Sequence, residues 1–187
     1  MQILKTPIEG LLIIEPRVFH DDRGYFFESF NQKLFAEMTG FTRPFVQDNQ
    51  ARSVKNVLRG LHYQNEPVAQ AKLVRALEGA IWDVAVDIRR GSPTFGQWFG
   101  VELSAENRRQ LLVPRGFAHG YSVLTETAEI LYKCDNLYDK SSEGGISFKD
   151  PTLQVDWKID ITQAIVSDKD KAQPLLADAV ISFSYQP

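Results

Sequence analysis

Cysteine occurs once in 187 residues, as Cys134. No disulfide can therefore form within the chain, and zinc sites built from four cysteines, or from two cysteines and two histidines, cannot be assembled. That scarcity fits a reducing compartment. Histidine is also rare: the only three are His20, His62 and His119. No apolar run approaches the ~18 residues needed to span a bilayer, and the stretch in MQILKTPIEGLLIIEP is ended by Glu15 and Pro16. Charge of one sign does not accumulate either, since 21 Lys and Arg stand against 24 Asp and Glu, a formal net charge of −3. Bulk attraction to nucleic acid or to an anionic membrane is not expected. No Gly/Ser-rich or Pro-rich linker divides the sequence and nothing repeats at a fixed period. The expectation is a soluble, cytoplasmic protein with one domain over residues 1–187, large enough to bury a core without disulfides or a structural metal.

What is present is a series of short strand patterns. Trp82, Val84, Val86 and Ile88 alternate with Asp83, Ala85 and Asp87, which reads as a half-buried strand with the first set on its apolar face. Similar runs recur at NVLRGLHYQ, AKLVRALEG, FGQWFGVEL, RQLLVPRGF, HGYSVL and AEILYKC, punctuated by Gly, Pro, Asn and Ser. Many short strands between turn signals predict a mainly β fold, a β-sandwich or jelly-roll barrel, with a few short peripheral helices. The strongest helix signal is NQKLFAEMTG, with Asn31 as N-cap, Leu34, Phe35 and Met38 on one side, and Gly40 as the stop. A second, weaker helix is expected over PLLADAV, residues 174–180.

Two registers follow if consecutive strands pair as hairpins. A loop over Asn65–Ala69 places Gln64 opposite Gln70 and His62 opposite Lys72, and a turn at Thr125 and Glu126 places His119 opposite Tyr132. Cross-strand partners share a sheet face, so both arrangements put polar pairs where apolar residues are expected. A bulge would shift either register.

The chemistry these side chains permit is specific. Imidazole, with an unperturbed pKa near ~6.5, can take or return a proton at neutral pH, and an ammonium beside it can stabilise a developing oxyanion. His62 with Lys72 therefore points to proton abstraction next to a carbonyl. A phenol such as Tyr132 could return the proton from another side and invert the centre, although a strand tyrosine is equally compatible with core packing. Lys72 is likewise compatible with a solvated strand edge. For Arg59 and His62 to reach one site the strand must be irregular, since an odd separation sends side chains to opposite faces, and Gly60 between them permits that irregularity. Taken alone, RGLHYQ reads more readily as a structural histidine beside a surface arginine, and Lys72 is what shifts the balance toward a site. Arg23 and Arg59 can neutralise phosphate; Tyr138, or the run Tyr25-Phe26-Phe27, can stack a base. No Walker-type or GxGxxG loop is present, and His62-Tyr63-Gln64 lacks the paired histidines of a metal-binding cupin. No metal or other cofactor is expected. A metal-dependent cupin enzyme and a non-catalytic sugar-nucleotide-binding jelly roll are the competing readings.

Several longer segments carry a family resemblance: FHDDRGYFFESFN, FVQDNQARS, NVLRGLHYQ, AKLVRALEGAIWDVAVDIRRGSPTFGQW, LSAENRRQLLVPRGFAHGY, EILYKCDNLYDKSSEGGI and VSDKD. In this order they resemble the dTDP-4-dehydrorhamnose 3,5-epimerases over almost the whole chain. The resemblance implies a metal-free, cupin-type jelly roll, a homodimer, acting on a dTDP-sugar in dTDP-L-rhamnose biosynthesis. It makes His62 the base, oriented by Asp170 at the end of VSDKD in preference to Asp168. It also places Lys72 near the sugar keto oxygen, makes Tyr132 the proton donor and His119 a sugar contact, and assigns Arg23 and Arg59 to the diphosphate. Glu28, Gln47, Asp48 and Asn49, with stacking on Tyr138, are implied for the thymidine end; Glu143 and Lys169 are further substrate contacts. His20, just before the Asp-Arg-Gly motif, departs from the small or polar residue expected there and is read as a loop residue. Relatives that invert one carbon, or that isomerise the keto group, share much of this pattern.

Overall fold

The computed structural model describes residues 1–186. In chain order its strands are β1 (Gln2–Lys5), β2 (Leu12–Glu15), β3 (Phe19–Asp21), β4 (Gly24–Phe26), β5 (Gln47–Val54), β6 (Leu58–Gln64) and β7 (Lys72–Glu78), followed by β8 (Ala80–Asp87), β9 (Trp98–Ser104), β10 (Gln110–Val113), β11 (Phe117–Val123), β12 (Thr127–Cys134) and β13 (Glu143–Gly145). Helix α1 spans Gln32–Thr39 and α2 spans Asp168–Lys171. One sheet has the order β1-β2-β10-β7-β12-β5, a second β13-β6-β11-β8-β9, and β3 with β4 forms a separate ribbon. All named pairings are antiparallel. This is the expected mainly β jelly roll.

Three apolar clusters hold the layers together. Between the sheets lie Ile13, Val74, Ile81, Ala85, Leu103, Leu111, Val123 and Ile130. On the outer face of the second sheet, Leu58, Val84, Val86, Ile88 and Ala118 pack against Ile146, Phe148, Leu153, Trp157, Leu176 and Phe183 of the irregular C-terminal segment. Outside the first sheet, Phe35 of α1 covers Ile14, Leu73 and Leu112, with Phe30, Phe41 and Phe45 around it. Each fully buried large side chain contributes about 1.5–3 kcal/mol.

The half-buried reading of β8 is corrected here. Asp83, Ala85 and Asp87 are all fully buried, because Ile81 and Ala85 face the sandwich interior while Val84 and Val86 lie under the C-terminal segment. A cover supplied from 60 or more residues away leaves no trace in local alternation.

Helix α1 forms as expected. Asn31 accepts from the Leu34 N–H at 3.1 Å, and Gly40, at φ 76°, ends the helix with its N–H on the Ala36 carbonyl. Met38, however, is exposed. No helix forms over 174–180: the Asp150 carboxylate takes the Leu176 N–H at 2.6 Å, and only a turn closes between Asp178 and Leu175. The short helix lies just upstream instead, as α2, capped by Ser167.

Both hairpin registers are overturned. β6 and β7 belong to different sheets, as do β11 and β12, so the connecting loops cross the sandwich rather than closing hairpins. His62 is paired with His119, and Tyr132 with Asn49 and Val74. Lys72 pairs with Val113 and Cys134.

Candidate active site

The crossings that break the hairpins assemble a pocket between the sheets. His62, Lys72 and Tyr132 line two adjoining cavities. One, of about 310 Å³, continues to Gln47, Asn49, Tyr138 and Glu143. The other, of about 130 Å³, reaches Arg59, His119 and Tyr121. Facing sheets thus bring together the side chains that the hairpin arithmetic paired within one sheet.

Arg59 and His62 share this pocket because β6 bulges between them. His119 is opposite His62, yet Tyr121 is opposite Arg59, so three steps on β6 match two on β11. Gly60 makes this possible. Its φ is +127°, and a Cβ there would lie 2.5 Å from Gly120 Cα, so both strands need glycine at the close approach.

The Nε2 atom of His62 lies 2.5 Å from Asp170 Oδ1, and the Asp170 side chain is only 4% exposed. Burial by itself would raise the pKa of Asp170, but the His62 hydrogen bond and charge, the Gly60 N–H and Ser167 outweigh it and hold the carboxyl below its ordinary range. With Asp170 ionised, His62 Nε2 donates its hydrogen bond to the carboxylate, which leaves the lone pair of Nδ1 open to accept a proton. Asp168 is exposed and paired with Lys171, so the geometry favours Asp170 as the orienting carboxylate.

Lys72 Nζ sits 5.9 Å from the centre of the Tyr132 ring. Burial pushes the ammonium pKa down, and Cys134, Asp83 and Glu143 oppose that shift. Burial, Cys134 and Tyr121 push the Tyr132 phenol up, against Arg59, so it stays protonated at neutral pH. His119 forms a second imidazole–carboxylate pair, its Nε2 2.8 Å from Asp83 Oδ1.

At the mouth, Tyr138 is 55% exposed. Its hydroxyl donates to Glu143 at 3.2 Å, and Lys169 donates to the same carboxylate. The backbone N–H of Tyr138 donates to Gln47, Gln47 donates to Asn49, and the Asn49 amide reaches Cys134 Sγ. A cleft of about 450 Å³ beyond His62 is lined by Val57, Leu58, Ile165 and Val166 together with Arg59, Ser167, Lys169 and Asp170, and its two cations can meet a phosphate.

Three residues named from the sequence lie outside this pocket. Arg23 is 89% exposed on the β3–β4 ribbon and paired with Asp21. Glu28 lines a separate, mainly apolar groove with Phe30, Phe35 and Leu73. Asp48 points outward from β5, where Lys133 donates to it at 2.9 Å, because Gln47, Asn49 and Ala51 occupy the inward positions of that strand. His20 is exposed on β3. Strand β5 has no strand signature in the sequence, although the family resemblance names Gln47, Asp48 and Asn49 within it. Gln47 and Asn49 on its inward face are polar because they line a site rather than a core. Asp83, on the polar face of the β8 alternation, and Gln64 and Gln70, which line the pocket, carry no motif that marks them.

A family model for dTDP-4-dehydrorhamnose 3,5-epimerase matches residues 5–178. The chain belongs to the dTDP-4-dehydrorhamnose 3,5-epimerase family. Among the family's curated members, the epimerase of Shigella flexneri is 55% identical over 170 residues, covering 91% of this chain and 93% of its own. The crystal structure of the epimerase from Elizabethkingia anophelis NUHP1 superposes with a TM-score of 0.92 at 56% identity, over 95% of this chain and 97% of that one. The dTDP-6-deoxy-D-glucose-3,5-epimerase of Legionella pneumophila Philadelphia 1, solved in complex with dTDP-4-keto-L-rhamnose, superposes at 0.95 with 50% identity over 100% and 99% of the two chains. The epimerase family thus shares the cupin-like jelly roll, and the pocket between the sheets lies within the matched region.

Proposed function

We propose that this chain is a dTDP-4-dehydrorhamnose 3,5-epimerase that converts dTDP-4-dehydro-6-deoxy-D-glucose to dTDP-4-dehydro-L-rhamnose. The carrying observation is the convergence of His62 with its Asp170 partner, Lys72 and Tyr132 on one cavity. The substrate's C4 ketone acidifies the C–H bonds at C3 and C5. His62 takes one such proton at Nδ1 while the electron pair moves onto the carbonyl oxygen, and Lys72 stabilises that oxygen as enolate. The Tyr132 hydroxyl then protonates the same carbon from the opposite face, inverting it. Solvent takes the proton from His62 and returns one to Tyr132, and no electrons are exchanged with any cofactor. His119 contacts the sugar, and Arg59 meets the diphosphate. Glu143, Lys169, Gln47 and Asn49, with the exposed ring of Tyr138, hold the nucleotide end.

We also read the protein as cytoplasmic, as one domain and as a homodimer. Among the described residues no helix is long and apolar enough to cross a membrane. The β3–β4 ribbon leaves Phe19, Tyr25 and Phe26 exposed, an apolar surface that suits cover by a second copy. Arg23 and Glu28, implied as substrate contacts by the resemblance, sit on or just after this ribbon rather than in the chain's own pocket. Light scattering that returns a monomer would overturn the dimer.

The activity is tested by incubating the dTDP-keto-sugar with the protein in deuterated water and following C3 and C5 by NMR. Label at both carbons with inversion is expected. Label at one carbon, or none, defeats the double-epimerase reading, and loss of turnover on chelation would favour a metal-dependent enzyme.

A further inference from the structure

The interior of the sandwich holds two aspartates on the same face of β8, and they are treated differently. Asp87 is saturated: it accepts from the N–H, Nε and Nη2 of Arg89 and from the hydroxyls of Ser92 and Thr94. That is how a structural carboxylate is normally kept in a core. Asp83, equally buried, has among the described residues a single side-chain partner, His119, and its Oδ2 is buried without a hydrogen bond from any of them. A bare carboxylate oxygen in a low-dielectric interior opposes folding, so its retention calls for a role that saturation would cancel.

The surroundings supply one. Asp83 is opposite Tyr121 of β11 and Val101 of β9, and its charge acts on Lys72 and Tyr121. Among the described residues, the charged and titratable groups facing this space are Arg59, His62 and Tyr63 on β6, Lys72 on β7, His119 and Tyr121 on β11, Tyr132 and Cys134 on β12, Tyr138, and Glu143 on β13. With Nε2 of His119 committed to Asp83, Nδ1 is the nitrogen left to address the cavity that His119 lines. We propose that Asp83 is a positioning residue for the epimerase reaction, fixing the tautomer and orientation of His119 and placing a carboxylate behind the cavity wall that His119 shares with Lys72. This rests on the epimerase reading above. An arginine or hydroxyl on Oδ2, as at Asp87, would spend the charge that Lys72 needs.

Asp83→Asn removes the charge and keeps the shape. We expect kcat to fall about 10- to 10²-fold, as for other carboxylates that orient a histidine, with KM changed less than about threefold. Removing a negative charge disfavours the ammonium, so the alkaline limb of kcat/KM moves to lower pH. A variant with the parent's alkaline limb and kcat, whatever its melting temperature, overturns the proposal. Should Asp83→Asn fail to fold, histidine-ring ¹H–¹⁵N spectra of the unmodified, ligand-free protein decide the matter. The His119 proton is expected on Nε2 with Nδ1 bare, and a proton found on Nδ1 alone overturns the assignment. That measurement needs no turnover, so a failure of the epimerase reading itself is seen separately, as absence of deuterium exchange by the parent protein.

Discussion

Replacing Asp170 by Asn tests how the base is held. In the parent the carboxylate has acceptors for both His62 Nε2 and the Gly60 N–H; the amide has one oxygen for two donors. Satisfying Gly60 turns the amide NH₂ toward His62, which must then accept at Nε2 and carry its proton on Nδ1, the cavity side. The free lone pair is thereby moved away from the substrate. A hydrogen bond to a charged group is worth about 1.5–3 kcal/mol, which at 1.36 kcal/mol per decade is roughly 10- to 10²-fold in rate. The misplaced tautomer adds to this, so kcat should fall by about 10²–10⁴. Deuterium incorporation at C3 and C5 should fall in parallel, because proton abstraction itself is impaired. The assay is initial-rate NMR in deuterated water at a temperature where circular dichroism shows the variant folded. Turnover within about threefold of the parent would refute both the tautomer argument and the assignment of Asp170.

Tyr132→Phe should separate the two proton transfers: net inversion falls by about 10²–10⁴, while exchange at the abstracted position, which needs His62 and Lys72 but not the phenol, persists above the His62→Asn level by NMR. Gly60→Ala should cost about 2–4 kcal/mol in urea unfolding, since its positive φ and the 2.5 Å approach to Gly120 both penalise a methyl group. Asp87 and Asp170 are held below the ordinary value of 3.8, against burial, by Arg89, Ser92 and Thr94 and by His62. A depressed carboxylate contributes stability that is present above its unfolded value and lost as pH falls through the folded one. Melting temperature should therefore drop as pH is lowered below 3.8, and Asp87→Asn should flatten that slope. Tyr63 is pushed up to about 12, burial outweighing the lowering by Arg90. Its stabilisation is complete below pH 10.0 and fades as pH rises toward 12; an ultraviolet titration should show a late phenol that Tyr63→Phe removes.

Local signals were legible where local physics decides. Asn31 and Gly40 end α1 because a side-chain acceptor and a left-handed residue act within one turn, and the six apolar strand runs became β6, β7, β9, β10, β11 and β12. The polar strand β5 was not legible: its inward face serves a cavity, so it lacks the apolar alternation that marks a strand. Asp170 lies 108 residues from His62, and only the family resemblance pointed to it. The chemistry-bearing residue types, an imidazole, an ammonium and a phenol in strand segments, were determined by the sequence alone. Their meeting was decided by topology. Facing residues of consecutive strands have a constant sum only while both strands stay in one sheet, and a short loop can join two sheets as readily as it can close a hairpin. Which it does depends on where distant strands and the C-terminal segment bury their apolar faces, a free energy that belongs to the whole fold and to no local stretch of it.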